Sequence, residues 1–148
     1  MTAKSNYVIG NWKMNLGVAD GVALARELNA GLSPNPTTAV WIAPPSLTLP
    51  AVAMELQASS VKVGAQNLHW ESNGAYTGEI SAEMLTEHAG HFAIIGHSER
   101  RTHFGETNET AAMRAIATIE AGLIAAFCIG ETERERTDNR TQEVLSSQ

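Results

Sequence analysis

An α/β fold built on a parallel sheet is predicted by three features of the sequence: five short apolar, β-rich runs, helical apolar periodicity between them, and short links joining the two. The runs are Tyr7 to Ile9, Ala39 to Ile42, Val61 to Ala65, Phe92 to Ile95 and Leu123 to Ile129, each too short for a helix. Strands alternating with helices in this way require right-handed crossovers, which lay helices over the sheet and bury the strands.

The elements follow in order. Val18, Val22, Ala25, Leu28 and Leu32 recur at three and four residues and give one apolar face to a helix after the first strand. Pro50 to Leu56 continues the alternation with a second helix. Ser81 offers a hydroxyl cap to a third helix running through Glu87. Thr107 or Asn108 caps another through Glu120, in which Ala112, Ile116 and Ile119 share a face. Gly90 and Gly122 stop these last two helices, and Glu133 to Leu145, charged early and apolar late, reads as one more. A helix N-terminus is also expected near Ser98, directly after the fourth strand.

Composition narrows the function classes. With 148 residues, 43% hydrophobic and 18% charged, the chain is expected to form a single domain over residues 1–148 with a sizeable core. Its net charge of -6, and ten Lys and Arg residues that form no dense run, argue against a nucleic-acid partner. No run of eighteen apolar residues and no charged n-region followed by an apolar h-region is present, so neither a membrane partner nor a secretory leader is expected, and a cytoplasmic location is. Cys128 is the only cysteine, which excludes an intrachain disulfide and a Cys-based metal cluster and suits a reducing compartment. His88 and His91 are two residues apart while His69 and His103 stand alone, so no zinc-ligand spacing appears. The glycine signatures G-x-G-x-x-G and G-x-x-x-x-G-K-[ST] are absent, yet pattern alone does not separate an open doubly wound sheet from a closed barrel.

Two segments at strand ends carry chemistry. Asn11-Trp12-Lys13-Met14-Asn15 and Ile94-Ile95-Gly96-His97-Ser98-Glu99-Arg100-Arg101 resemble the two N-terminal signatures of the triosephosphate isomerase family. Ala43-Pro44-Pro45-Ser46, Gln66-Asn67, Gly74-Ala75-Tyr76-Thr77-Gly78-Glu79-Ile80-Ser81 and Cys128-Ile129-Gly130-Glu131 resemble that family in the same order. The resemblance implies a TIM barrel, the (β/α)8 fold, with its site at the C-terminal ends of the strands. A complete barrel has about 250 residues, or roughly 31 per unit, so this length corresponds to about five of eight βα units.

What the resemblance implies for each residue can be set beside its ordinary chemistry. The family interconverts dihydroxyacetone phosphate and D-glyceraldehyde 3-phosphate through an enediolate without a cofactor or metal, and is itself the standard example of a carboxylate base working beside a neutral histidine. Lys13 matches the active-site lysine, whose cation stabilises the substrate phosphate and the developing enediolate. Asn11 matches a substrate-binding asparagine, whose amide both donates and accepts; a residue of this kind also caps the turn after a strand. His97 matches the electrophile. A lone histidine after a strand is ordinarily structural, but the eight-residue match around it reverses that reading, and a following helix N-terminus favours a neutral, donating ring.

Glu99 matches a glutamate beside the active-site lysine that holds it and relays protons, while a carboxylate there equally stabilises the first helical turn. Ser98 is expected to cap or position that turn. Arg100, Arg101 and Glu106 match internal ion-pair residues, and Cys128 reads as a supporting packing residue near the site. The loop from Gln66 to Gly78 is expected to project into a second subunit of a homodimer, with Thr77 at the interface.

The family's general base, a glutamate on a Tyr-Glu-Pro-Val-Trp-type segment after the sixth strand, has no counterpart here, and Glu131, Glu133 and Glu135 do not match that segment. The chain is therefore expected to be a fragment of an isomerase of glycolysis and gluconeogenesis, inactive alone. The rival expectation is a non-catalytic half-barrel assembling with itself or with another chain.

Overall fold

The computed structural model describes residues 6–33 and 37–148. The elements are β1 (Asn6–Asn11), α1 (Val18–Gly31), β2 (Thr38–Ala43), α2 (Leu49–Glu55), β3 (Lys62–Ala65), α3 (Ala82–Glu87), β4 (Phe92–Ile95), α4 (Ser98–His103), α5 (Asn108–Glu120), β5 (Ile124–Phe127), α6 (Glu133–Thr137) and α7 (Thr141–Ser147). The strands form one sheet in the order β1-β2-β3-β4-β5, every neighbouring pair parallel. An open doubly wound sheet reverses direction at a switch point; this order never reverses, so right-handed crossovers place the connecting helices on one face.

Period-two alternation divides the strand side chains between the two faces. Ile42, Val63, Ala93 and Ile95 join Val52, Leu56 and Leu85 in the core between sheet and helices. Trp41, Ala43, Phe92 and Ile94 form a separate cluster on the other face. There the Trp41 ring lies 4.9 Å from Phe92 and 5.0 Å edge-on to Tyr7.

Local signals account for the helix ends. The Ser81 hydroxyl accepts from the Met84 N–H at 3.3 Å, and Thr107 forms a reciprocal capping box with Thr110. Gly122, at φ +77°, ends α5: the Leu123 N–H reaches back to the Thr118 carbonyl at 3.0 Å, a six-to-one closure that favours a residue without Cβ.

Three expectations are changed or refined. The helix read over Glu133 to Leu145 is two, α6 and α7, because Asn139 takes a left-handed φ of 57° and the Arg140 N–H closes on the Glu135 carbonyl at 2.8 Å; asparagine tolerates this conformation, so a polar residue stops the first helix without a glycine. After α3, Gly90 does close the helix, its N–H on the Leu85 carbonyl at 3.0 Å, but the left-handed position is filled by Ala89 before it. The run from Leu123 to Ile129 contributes only Ile124–Phe127 to the ladder.

Within the described residues β1 and β5 each pair on one side only. Tyr7 is 58%, Val8 57% and Ile124 51% exposed. A free strand edge carrying apolar side chains promotes association. Residues 1–148 expressed alone are therefore expected to run larger than a monomer in light scattering. A sharp monomer peak with strongly protected amides in both β1 and β5 would contradict this.

Candidate active site

The first half of the site is the turn that follows β1. Asn11 ends that strand, and its side-chain carbonyl accepts the Lys13 N–H at 2.9 Å, so its turn-capping role is realised and its amide N–H groups remain for other partners. Lys13 sits at φ 53°, a left-handed conformation uncommon for a residue with a side chain and costing about 1–3 kcal/mol. Gln66, directly after β3, holds it there: its Nε2 donates to the carbonyls of both Lys13 and Ala43, each at 2.8 Å. The Trp12 N–H donates to the same Ala43 carbonyl at 3.0 Å. The Lys13 backbone is thereby tied to β2 and β3 while its Nζ reaches Glu99 Oε1 at 2.5 Å.

The second half is the turn after β4. Gly96, at φ +72°, has both polar backbone groups taken by charged side chains: its N–H donates to Glu106 Oε1 at 2.8 Å, and its carbonyl accepts from Arg101 Nε at 2.9 Å. A Cβ at this position would stand 3.0 Å from the Cys128 carbonyl oxygen. His97 follows and is the N-cap of α4, its Nδ1 accepting the Glu99 N–H at 3.3 Å. Ser98 is thus the first residue of the helix, and the capping expected of it falls to His97. A ring nitrogen that accepts a hydrogen bond carries no proton, so the neutral imidazole bears its proton on Nε2. Glu99 Oε2 also lies 3.6 Å from Nδ1, a contact that becomes an ion pair only if that nitrogen is protonated.

These residues share a cleft of about 330 Å³, lined among others by Asn11, Lys13, Ser46, Gln66, His97 and Glu99. Thr77 does not line it: the residue is exposed on the loop that follows β3, while Gly78, Glu79 and Ile80 return to the cleft wall. Cys128 is half-buried with its thiol near the Ala126 carbonyl at 3.8 Å, and burial pushes that thiol above its ordinary pKa, as suits packing behind Gly96. Among the described residues no three His, Cys, Asp or Glu side chains group as a metal site.

Glu106, its side chain 1% exposed, pairs with Arg100 at 2.7 Å, as an internal ion pair. Arg101 departs from that expectation: it binds two neutral oxygens, the Gly96 carbonyl and, at 2.6 Å, the Asn108 side chain. Sequence reasoning placed Gln66 in a family-matching segment but gave it no role in holding Lys13, and it did not single out Arg114, which looks like any surface position of α5.

The Lys13 hydrogen bond holds the Glu99 carboxyl below the ordinary glutamate range, with Coulombic help from Lys13, His97 and His103 against partial desolvation. A lowered folded-state pKa means the link is intact above the unfolded value, about 4.3, and is lost as pH falls through the lower folded value. Carbon-detected titration of Glu99 is expected to show a midpoint below that of an ordinary glutamate, and Lys13→Met to raise it. An unchanged midpoint in the variant would mean that Lys13 does not hold Glu99 in solution.

Known proteins match this arrangement. The family model for triosephosphate isomerase matches residues 6–148. A triosephosphate isomerase of Clostridium botulinum is 46% identical over 145 residues, covering 98% of this chain and 58% of that protein. An L-erythrulose-1-phosphate isomerase of Rhizobium rhizogenes is 45% identical over 150 residues, covering 100% of this chain and 58% of that protein. The crystal structure of triosephosphate isomerase from Bartonella henselae superposes with a TM-score of 0.89 at 38% identity, over 95% of this chain and 58% of that one. The chain spans about 58% of the length of these relatives, and its five parallel strands form the corresponding part of the TIM barrel. It belongs to the triosephosphate isomerase family.

Proposed function

We propose that this chain supplies the electrophilic half of an isomerase active site that interconverts dihydroxyacetone phosphate and D-glyceraldehyde 3-phosphate. The observation that carries the reading is the hydrogen bond at His97 Nδ1. That nitrogen is committed to the Glu99 N–H, which leaves the proton-bearing Nε2 as the donor of a ring that lines the same cleft as Lys13. Moving a proton between adjacent carbons passes through an enediolate, and a neutral donor beside its oxygens stabilises that charge without repelling the cation next to it. Lys13 adds the positive charge for phosphate and enediolate, Asn11 orients the carbonyl and hydroxyl through its free amide, and Glu99 holds Lys13 and relays protons.

The carbon-bound proton needs a base. Glu99 is bound to Lys13, and Glu79 lies 3.6 Å from Arg114, so both carboxylates at the cleft face cations. The base is therefore a residue outside this half-site.

Two further properties belong to the same reading. Met14 is 96%, Leu47 90% and Phe104 69% exposed near the cleft, an apolar rim suited to the loop of a second subunit carrying Thr77. A homodimer working in the cytoplasm, in glycolysis and gluconeogenesis, is the corresponding assembly and setting. The relative named for L-erythrulose 1-phosphate makes a four-carbon ketose phosphate the competing substrate, and an assay with both phosphates separates the two.

In the complete isomerase, Lys13→Ala and His97→Gln are each expected to lower kcat/KM by about 10²–10³-fold, the effect of removing one donor to developing negative charge. Near-normal turnover in either variant would reject the assigned role. Residues 1–148 alone, freed of host isomerase, are expected to show no activity above a buffer blank, since general-base assistance is worth about 10²–10⁴-fold by itself. Robust activity would mean that the base lies within this chain.

A further inference from the structure

Arg114 is a buried cation whose contacts join two parts of the protein that are distant in sequence. The residue is 7% exposed. Its Nη1 donates to the Leu68 carbonyl at 2.5 Å and lies 3.6 Å from Glu79 Oε2. Its Nε is 3.6 Å from Glu106 Oε2, and its guanidinium lies 5.0 Å from the Trp70 ring centre.

Leu68 and Glu79 flank one loop. The loop is closed at its base by the His69 N–H donating to the Ile80 carbonyl at 2.8 Å. Arg114 thus touches the loop where it leaves and where it returns. Its third partner, Glu106, uses its other oxygen to hold the Gly96 N–H at 2.8 Å, one residue before His97. Only the Leu68 carbonyl accepts a hydrogen bond from the guanidinium, and its spread of positive charge faces Glu79 and Glu106 as ion-pair contacts on two further sides.

We propose that Arg114 is a positioning residue that couples the 69–79 loop to the His97 turn through Glu106. The inference rests on the reading of His97 as the electrophile. The loop that carries Thr77 and the turn that carries His97 share one buried cation, so a displacement at the loop base alters the charge balance at Glu106 and with it the Gly96 anchor. Arg100 alone does not provide this link, since among the described residues its side chain meets Glu106 and Phe104 and not the loop.

The test uses Arg114→Met, Arg114→Lys and Glu79→Gln in the complete isomerase, with residue-resolved amide exchange beside steady-state kinetics. Arg114→Met is expected to speed exchange about tenfold at Gly96 and across 69–79 while leaving the β1 and β2 amides within about twofold. It is also expected to lower kcat about tenfold with KM within about threefold, and Arg114→Lys to fall between wild type and Arg114→Met on each measure. Unchanged Gly96 exchange and kcat in Arg114→Met overturn the coupling, whatever the loop does. So does an Arg114→Lys variant as damaged as Arg114→Met, which would assign the effect to packing. Should Arg114→Met not fold, Glu79→Gln and Arg114→Lys decide: faster exchange at both 69–79 and Gly96 supports the coupling, and unchanged Gly96 overturns it. If the wild-type protein lacks isomerase activity, the catalytic reading fails separately, and the exchange measurements still decide whether loop and turn are coupled.

Discussion

The carboxylate of Glu106 is the constraint on which the site depends. Its side chain is 1% exposed, and removing one partner from a buried ion pair leaves a charge whose desolvation costs on the order of 3–5 kcal/mol. The fold surrounds it with the Gly96 N–H, the Arg100 guanidinium and, at 3.6 Å, Arg114. Because Gly96 immediately precedes His97, the electrostatic demand of this one carboxylate becomes a positional demand on the imidazole. Arg101 adds the matching hold on the Gly96 carbonyl. A peptide fixed at both its polar groups and at φ +72° has little freedom left to pass on to the ring.

The Lys13 half of the site is built differently. Lys13 and Glu99 have side chains 51% and 44% exposed, so their ion pair contributes little to stability in water. Its value is geometric. The backbone beneath Lys13 is held by neutral groups, the Asn11 carbonyl and the Gln66 amide, which tolerate a strained φ because they satisfy the turn from two sides. Charges buried on the His97 side provide rigidity, whereas on the Lys13 side charge stays near solvent. That division follows from where water reaches, and it leaves the Lys13 ammonium accessible.

What was legible in the sequence is what local chemistry writes there. Five apolar runs became five parallel strands, and the hydroxyls of Ser81 and Thr107 capped the helices they precede. The Asn-x-Lys and His-Ser-Glu segments mark their own positions at strand ends. The errors arose where a residue's partner is remote or its conformation unusual. Asn139 broke a helix that composition ran together, and Ala89, a residue with no turn signal, took the left-handed position before Gly90. Arg101 resembled an ion-pair residue but met a backbone carbonyl and an asparagine. The Arg114 contact with Leu68 spans 46 positions, and no spacing rule within one helix points to it.

The two faces of the sheet differ in how far this chain completes them, and that difference bears on the site. The helix-covered face holds a continuous core from Ala25 through Leu123. On the other face Trp41 and Phe92 are buried, but Tyr7 and Ile9, which share their side of the sheet by alternation, are 58% and 40% exposed. If the functional side chains depended on the inner wall, their geometry would be no better defined than that wall. They do not. Gln66 reaches Lys13 from the end of β3, Glu106 and Arg101 hold Gly96 from the segment after β4, and Arg114 reaches Glu106 from α5, on the covered side. The cleft residues are therefore anchored to the well-packed layer, so their geometry is set by contacts within this chain even though the inner wall is only partly formed.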